Sequence, residues 1–150
     1  MRCHLILLAC IGVLNACTPS PESAMGFRLP EGNADQGEEA FVALRCHACH
    51  DVEGLQLEYL ATGTAMVTLG GEVTRVRTYG ELVTSIINPS HKIAPGNPEE
   101  EVAVGGVSLM TLAYLNEVMT VQQLTDLVAF LQSRYEVRPP PYDGDWYLYP

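Results

Sequence analysis

The sequence predicts a small all-α domain with one short β-hairpin inserted between its first and second helices. Three segments carry helix-start signals followed by apolar residues at helical spacing, and they begin at Asn33, Thr78 and Thr120. Between the first two, the run MVTLGGEVTRV places β-branched residues on both sides of Gly70–Gly71, which predicts a hairpin with a two-residue turn. The stretch 33–138 is long enough for one domain.

The first predicted helix leads directly into a Cys-x-x-Cys-His motif. Asn33 is a good N-cap residue. Acidic side chains occupy the first turn, where they interact favourably with the positive end of the helix dipole. Ala40, Phe41 and Leu44 form an apolar stripe at helical spacing. We therefore expect Cys46–His50 to lie at the end of this helix, with both thiols on one turn.

The other two predicted helices begin with capping boxes, in which a Thr and a Glu or Gln three residues later satisfy free backbone N–H groups. Thr78–Glu81 starts the second helix, and Asn88–Pro89 ends it, because the residue before a proline disfavours helix. Thr120–Gln123 starts the last helix, with Met119 and Leu124 as a hydrophobic staple. The predicted buried face of the last helix is Leu124, Leu127, Val128, Phe130 and Leu131.

The N-terminus has the features of an export signal. A short charged head precedes the apolar run LILLACIGVL, which is shorter than the roughly 20 residues that span a bilayer. The run LNAC resembles the lipobox of bacterial lipoproteins, in which the cysteine, here Cys17, is lipidated and becomes the first mature residue. This predicts a lipoprotein signal peptide over 1–16 and a lipidated tether over 17–32. The alternatives are lipidation at Cys10 and ordinary cleavage near residues 16–25.

Two of the five cysteines then remain for a site in the domain. The two cysteines before Cys17 leave with the signal peptide, and Cys17 carries the lipid. Cys46 and Cys49, with His50 directly after them, have the spacing of a c-type haem attachment site. A zinc site is one alternative, but it needs four ligands and the chain has no second cysteine pair. The other alternative is that the Cys-x-x-Cys-His spacing arose by coincidence.

The charge of the chain restricts its partners. Removing residues 1–16 takes away Arg2 from 8 basic residues and leaves 7 against 18 acidic ones, a net charge of −11. Such a surface does not favour nucleic acid, because phosphate binding needs Lys and Arg. Lys92 is the only lysine, which excludes a lysine-rich docking face. The acidity is typical of a protein that stays soluble in a crowded envelope.

The C-terminal tail, residues 139–150, begins with three prolines, which end any helix and start an extended segment. Aromatic residues follow at Trp146, Tyr147 and Tyr149. They either pack back on the domain, which is the more common outcome, or contact a partner.

Together these elements resemble a class I c-type cytochrome, a family with one haem per domain. In that family an N-terminal helix with a glycine and an aromatic residue leads into Cys-x-x-Cys-His, and a C-terminal helix crosses it nearly at right angles. The resemblance covers roughly residues 33–136 and implies a cytochrome c fold for the domain. The matching residues are Gly37 and Phe41 in the first helix, and Leu127, Phe130 and Leu131 in the last.

The resemblance also implies one covalent haem c. Cys46 and Cys49 would form its two thioethers, and His50 would bind the iron. The family takes its sixth ligand from a loop before the last helix, which here favours Met110. The alternatives for the sixth ligand are Met119, already assigned to the staple, Met66 in the predicted hairpin, His91 in a loop, or an open position.

One feature departs from the family. No proline occurs between His50 and Pro89, although the family has one shortly after the haem histidine, whose carbonyl accepts the second imidazole N–H. The sequence therefore does not identify this acceptor.

His47, inside the motif, faces outward in the family. Donors that could neutralise the haem propionates are Arg75, Arg77, Tyr79 and Lys92, although an ordinary surface residue is the more common explanation for each.

The function implied is that of an electron carrier rather than an enzyme. An iron with His and Met on its two faces has no open position, which favours one-electron transfer. We expect redox proteins as partners, a membrane contacted through the lipid anchor in the periplasm-facing bacterial envelope, and no small-molecule substrate. The alternatives are a haem-bearing subunit of a larger periplasmic oxidoreductase, favoured by the tail sequence DWYLYP, and a haem enzyme or gas-binding module with an open sixth position.

Overall fold

The computed structural model of the protein describes residue 24, residues 26–58 and residues 66–138. The predicted signal peptide, Cys17 and the tail 139–150 lie outside these described residues. Within them, 45% of residues are helical and 15% are in strands, arranged as five α-helices and three two-stranded sheets. The prediction of an all-α cytochrome c fold is therefore wrong, and the described chain is mixed α/β. None of its helices is both long enough and apolar enough to cross a membrane.

Helices α1, Ala34–Ala43, and α5, Val121–Ser133, pack against each other at the centre of the core. The Asn33 side chain accepts a hydrogen bond from the Gln36 backbone N–H at 3.0 Å and caps α1, while the Thr120–Gln123 capping box starts α5. Both predicted helix starts are confirmed. The two helices also share an aromatic contact, because the rings of Phe41 and Phe130 lie 5.7 Å apart and are both buried.

The contact between α1 and α5 is closest at Gly37. A Cβ atom there would collide with the backbone carbonyl oxygen of Asp126 and lie 2.6 Å from the Cβ of Phe130. Asp126 is itself buried, and its carboxylate accepts hydrogen bonds from the Asn33 backbone N–H at 2.8 Å and the Gln122 amide at 2.9 Å. These contacts position α1, and with it the motif that follows, against α5.

Helix α2, Tyr79–Ile87, also packs against α5. The Thr78 hydroxyl accepts from the Glu81 backbone N–H at 3.2 Å, and the Glu81 carboxylate accepts from the Thr78 backbone N–H at 3.1 Å. The predicted start of this helix is thus confirmed. It ends before a 3₁₀ turn at Pro89–His91, and its Leu82 and Val83 join the core.

The predicted hairpin at Gly70–Gly71 is wrong. Strand β2, Val67–Leu69, pairs in parallel with β1, His50–Val52, and strand β3, Gly71–Val73, pairs in parallel with β6, Tyr135–Val137. Both glycines have positive φ, 88° and 77°, so the chain turns sharply between β2 and β3 without pairing them. Both partner strands come from segments that are distant in sequence.

A hairpin forms instead at Gly105–Gly106, in a region where the sequence predicts a loop. Strands β4, Ala103–Val104, and β5, Val107–Ser108, are antiparallel, and both glycines have positive φ, as a type I′ turn requires. Two short helices flank this hairpin, α3 at Glu99–Val102 and α4 at Ala113–Val118.

Candidate haem-binding site

The Cys-x-x-Cys-His motif lies on a separate turn after α1 rather than on its last turn. Arg45 has φ 60°, the left-handed region, and it is the one non-glycine residue with positive φ among the described residues. This conformation ends the helix, and a 3₁₀ turn follows at Cys46–Ala48. The Cys49 backbone N–H donates to the Cys46 carbonyl at 3.2 Å, so the turn holds the two cysteines close together.

His50 begins β1, and its ring is oriented by β2. The ring Nδ1 lies 3.2 Å from the carbonyl oxygen of Val67, the residue paired with His50 in the parallel sheet. A protonated Nδ1 donates to this oxygen, which assigns the tautomer and leaves Nε2 available to bind a metal. The Val67 backbone N–H in turn donates to the Cys49 carbonyl at 3.0 Å.

The Val67 carbonyl is the acceptor that the sequence did not identify. It accepts from the ring nitrogen in the way that the resemblance expects of a proline carbonyl. Val67 is 17 positions from His50, and the two meet only because β1 and β2 pair in parallel. No local pattern around His50 signals such a pairing, which is decided by tertiary structure.

Burial shifts the pKa values of two side chains in the motif. Burial lowers the pKa of His50, and the hydrogen bond to the Val67 carbonyl opposes this shift. The ring is therefore neutral at pH 7, the form that binds metals. Burial raises the pKa of the Cys46 thiol to about 11, so this thiol is protonated at pH 7 when no metal is bound.

A structural zinc site would need more ligands than the motif itself supplies. Within residues 24, 26–58 and 66–138, no group of three or more His, Cys, Asp and Glu side chains is placed to hold a metal ion. A closed structural zinc site takes four such ligands. Haem iron needs only two axial ligands from the protein, and one of them is often a methionine.

A cavity of about 800 Å³, including its open mouth, lies next to the motif. Cys46 and His50 line it, together with Met110 and Met119 from the segment between β5 and α5. Most of the other lining side chains are apolar and include Phe41, Leu69, Leu82, Ile86, Leu127 and Leu131.

The four proposed sixth ligands are placed differently. Met110 and Met119 are both half-buried and line the cavity. Met66 borders a smaller space that also touches His50, and His91 is exposed on the 3₁₀ turn after α2. The cavity is therefore lined by two methionine side chains that could bind the iron. The preference for Met110 over Met119 stays a prediction.

Arg77 brings a cation to the same cavity. Its Nε is buried and has no hydrogen-bond partner among the described residues, and its guanidinium lies 5.8 Å from the centre of the Tyr135 ring. A buried donor without a partner is costly, and a guanidinium binds carboxylates well. Arg77 is therefore suited to a haem propionate. The other three predicted donors, Arg75, Tyr79 and Lys92, are exposed and do not line this cavity.

His47 differs from its expected placement. The family resemblance implies an outward-facing side chain, but His47 is half-buried, and its Nδ1 is buried without a hydrogen-bond partner among the described residues. It borders the smaller space next to Met66 and His50. The side chain is therefore partly covered and does not face fully outward.

The residues present fit a covalently bound haem. Cys46 and Cys49 lie on one turn, a neutral imidazole is held by a carbonyl, and two methionines share a largely apolar cavity with Arg77, whose Nε has no hydrogen-bond partner among the described residues. Comparisons of the chain with protein-family models, with curated proteins and with solved structures found no match.

Proposed function

We propose that the protein carries single electrons as a monohaem c-type cytochrome. The observation that supports this most strongly is the cavity shared by Cys46, His50 and Met110. Cys46 and Cys49, on their common turn, are the residues that would attach haem c through two thioethers. When bound, the haem supplies an iron that changes between two oxidation states.

In this proposal His50 would be one of the two side chains that bind the haem iron. Its Nδ1 donates to the Val67 carbonyl, which leaves Nε2 for the iron and fixes the orientation of the ring. A carbonyl acceptor of this kind also makes the imidazole a stronger ligand. The parallel pairing of β1 with β2 therefore has a chemical role as well as a structural one.

Met110 is the proposed sixth ligand. Its backbone N–H donates to the Ser108 hydroxyl at 3.2 Å, which orders the turn that follows β5 and carries the thioether. A methionine bound there would leave no open coordination position, which favours electron transfer, and it would raise the reduction potential. Met119 is the alternative, because it lines the same cavity.

We also propose a lipid anchor at Cys17 in the periplasm-facing bacterial envelope. The support is the export signal and the lipobox-like run LNAC in the sequence. The partners would be redox proteins and the membrane that holds the anchor. A stable anchor needs more than one acyl chain, which a lipoprotein modification provides.

The decisive experiment tests first whether haem is covalently attached and then whether the protein transfers electrons. Purified full-length protein is run on a denaturing gel and stained for haem, beside the Cys46→Ser and Cys49→Ser variants. We expect haem colour on the wild-type chain and a weaker signal from each variant. The native protein should then take up and release one electron reversibly without binding carbon monoxide. Colour lost from the wild-type chain on the gel would contradict covalent attachment, and immediate carbon monoxide binding would favour an open-site module.

A further inference from the structure

The segment 103–121 forms a wall of the cavity and also much of the exposed apolar surface. Met110, Leu115 and Met119 line the cavity from this segment. The same segment supplies half of the large hydrophobic side chains that are exposed within the described residues. These six residues, named here the outer apolar surface, are Val104, Val107, Leu109, Tyr114, Val118 and Val121.

Helix α4 contributes side chains both to the cavity and to the outer apolar surface. Leu115 is 8% exposed and, four positions before Met119, lies on the helix face that borders the cavity. Tyr114 and Val118 are 52% and 41% exposed and lie on the neighbouring face. A protein seated on Tyr114 and Val118 would thus be about one helix diameter, ~10 Å, from the cavity.

The stretch of chain that includes this segment, residues 93–133, has charged side chains of one sign only. The sequence contains no Lys or Arg between Lys92 and Arg134. Exposed carboxylates occur in the same stretch, three of them in α3 and one in α4. They belong to Glu99, Glu100, Glu101 and Glu117.

We propose that the outer apolar surface is where a redox protein docks, and that this partner has an apolar centre with a rim of Lys and Arg. The inference rests on the proposed function, since it assumes that electrons leave from the cavity. Opposite charges at the rim steer the encounter and suppress wrong partners. A second copy of this chain, with its net charge of −10, brings like charges to the rim. The chain's own tail does the same, because it carries Asp143 and Asp145.

Two substitutions with matched controls test the docking surface. Val118→Ser is paired with Val42→Ser, since both valines are 41% exposed and both lie in helices. Glu117→Lys is paired with Glu39→Lys, since both glutamates are exposed and helical. The oxidant is a small lysine-rich cytochrome, and its reduction by the full-length, haem-loaded protein is followed by stopped flow.

The expected result is a rate that depends on the surface and on salt. Glu117→Lys should slow the bimolecular reaction by about threefold to tenfold at low ionic strength, and the difference should vanish near 1 M salt, where charges are screened within about 3 Å. Val118→Ser should slow it by about threefold at any salt concentration, through lost apolar contact. Both control variants should react like the wild type.

Failure of the docking surface can be told apart from failure of the proposed function. A chain without bound haem, or one that exchanges no electrons with an electrode, would refute the proposed function itself. Normal redox behaviour with all four variants reacting at the wild-type rate would refute the docking surface alone. A wild-type dimer that Val118→Ser converts to a monomer would show that a second copy occupies the surface, and would also overturn the proposal.

Discussion

Replacing Gly37 with alanine adds one methyl group at the closest contact between α1 and α5. The new Cβ would collide with the backbone carbonyl oxygen of Asp126 and lie 2.6 Å from the Cβ of Phe130. Neither neighbour is the end of a flexible side chain, so one helix has to move. Because α1 leads into the motif, this movement would also displace Cys46 from its place on the cavity.

We expect the free energy of unfolding to fall by about 2 kcal/mol or more. Overpacking of a close-packed interior costs typically ~1–3 kcal/mol, and a collision with backbone lies at the upper end of that range. Alanine has a better helix propensity than glycine, which offsets ~0.5–1 kcal/mol of this loss in the free energy of unfolding. The difference between these two effects leaves a net loss.

Gly80→Ala is the matched control. Gly80 lies in α2, and no heavy atom lies within 4 Å of its ideal Cβ position. Alanine at this position meets no neighbour, so only the gain in helix propensity remains, at most ~1 kcal/mol. The two variants make the same chemical change and are expected to alter stability in opposite directions.

Urea unfolding followed by circular dichroism measures both variants. With a slope of about 1–3 kcal/mol per molar urea, the midpoint of Gly37→Ala should fall by roughly 1 M at an unchanged slope, and that of Gly80→Ala should rise slightly. If Gly37→Ala unfolds at or above the wild-type midpoint while Gly80→Ala behaves as expected, α1 and α5 are not in the close contact described here. A lower midpoint for Gly80→Ala would instead show that the Cβ position of Gly80 is not free of neighbouring atoms.

Three further predictions concern the ligand, the anchor and pH. Met110→Ala should lower the reduction potential and let carbon monoxide bind the reduced iron, whereas Met119→Ala should leave ligation intact and cost ~1 kcal/mol or more of stability; the reverse pattern in the spectra would make Met119 the ligand. Cys17→Ser should leave the protein soluble or unprocessed on fractionation, and a cleaved variant that stays with membranes would require another tether. The hydrogen bond and ion pair with Arg75 lower the pKa of Glu81, so this carboxylate stabilises the fold above its ordinary pKa of about 4.3 and loses that effect as the pH falls through its lower folded value. In urea unfolding Glu81→Gln should therefore be less stable than wild type at pH 7, by less than ~1 kcal/mol because the pair is exposed, and the gap should close at acid pH; a gap that persists there would contradict this role.

Helix starts could be predicted because their signals are local. Asn33, Thr78 and Thr120 each accept a hydrogen bond from a backbone N–H three residues later, and these contacts require no other part of the chain. The spacing of Cys46 and Cys49 is local in the same way. It limits both thiols to a single turn, whichever elements surround that turn.

Strand pairing could not be predicted from local signals. The chain contains two Gly–Gly pairs flanked by valine-rich runs, at Gly70–Gly71 and at Gly105–Gly106, and only the second forms a hairpin. At the first pair the strands on either side take partners from distant segments, His50–Val52 and Tyr135–Val137. Side-chain packing and available strand edges decide such choices, which is why the all-α prediction was wrong.

The sequence by itself determined the chemistry offered by the motif: two thiols on one turn, followed at once by an imidazole. Tertiary structure alone decided what surrounds them. It placed the Val67 carbonyl on the imidazole and brought Met110, Met119 and Arg77 to the same cavity. The physical reason is the range of each contact, because a turn is closed by neighbours in the chain, whereas a cavity is lined by residues that only the packing of separate helices and strands brings together.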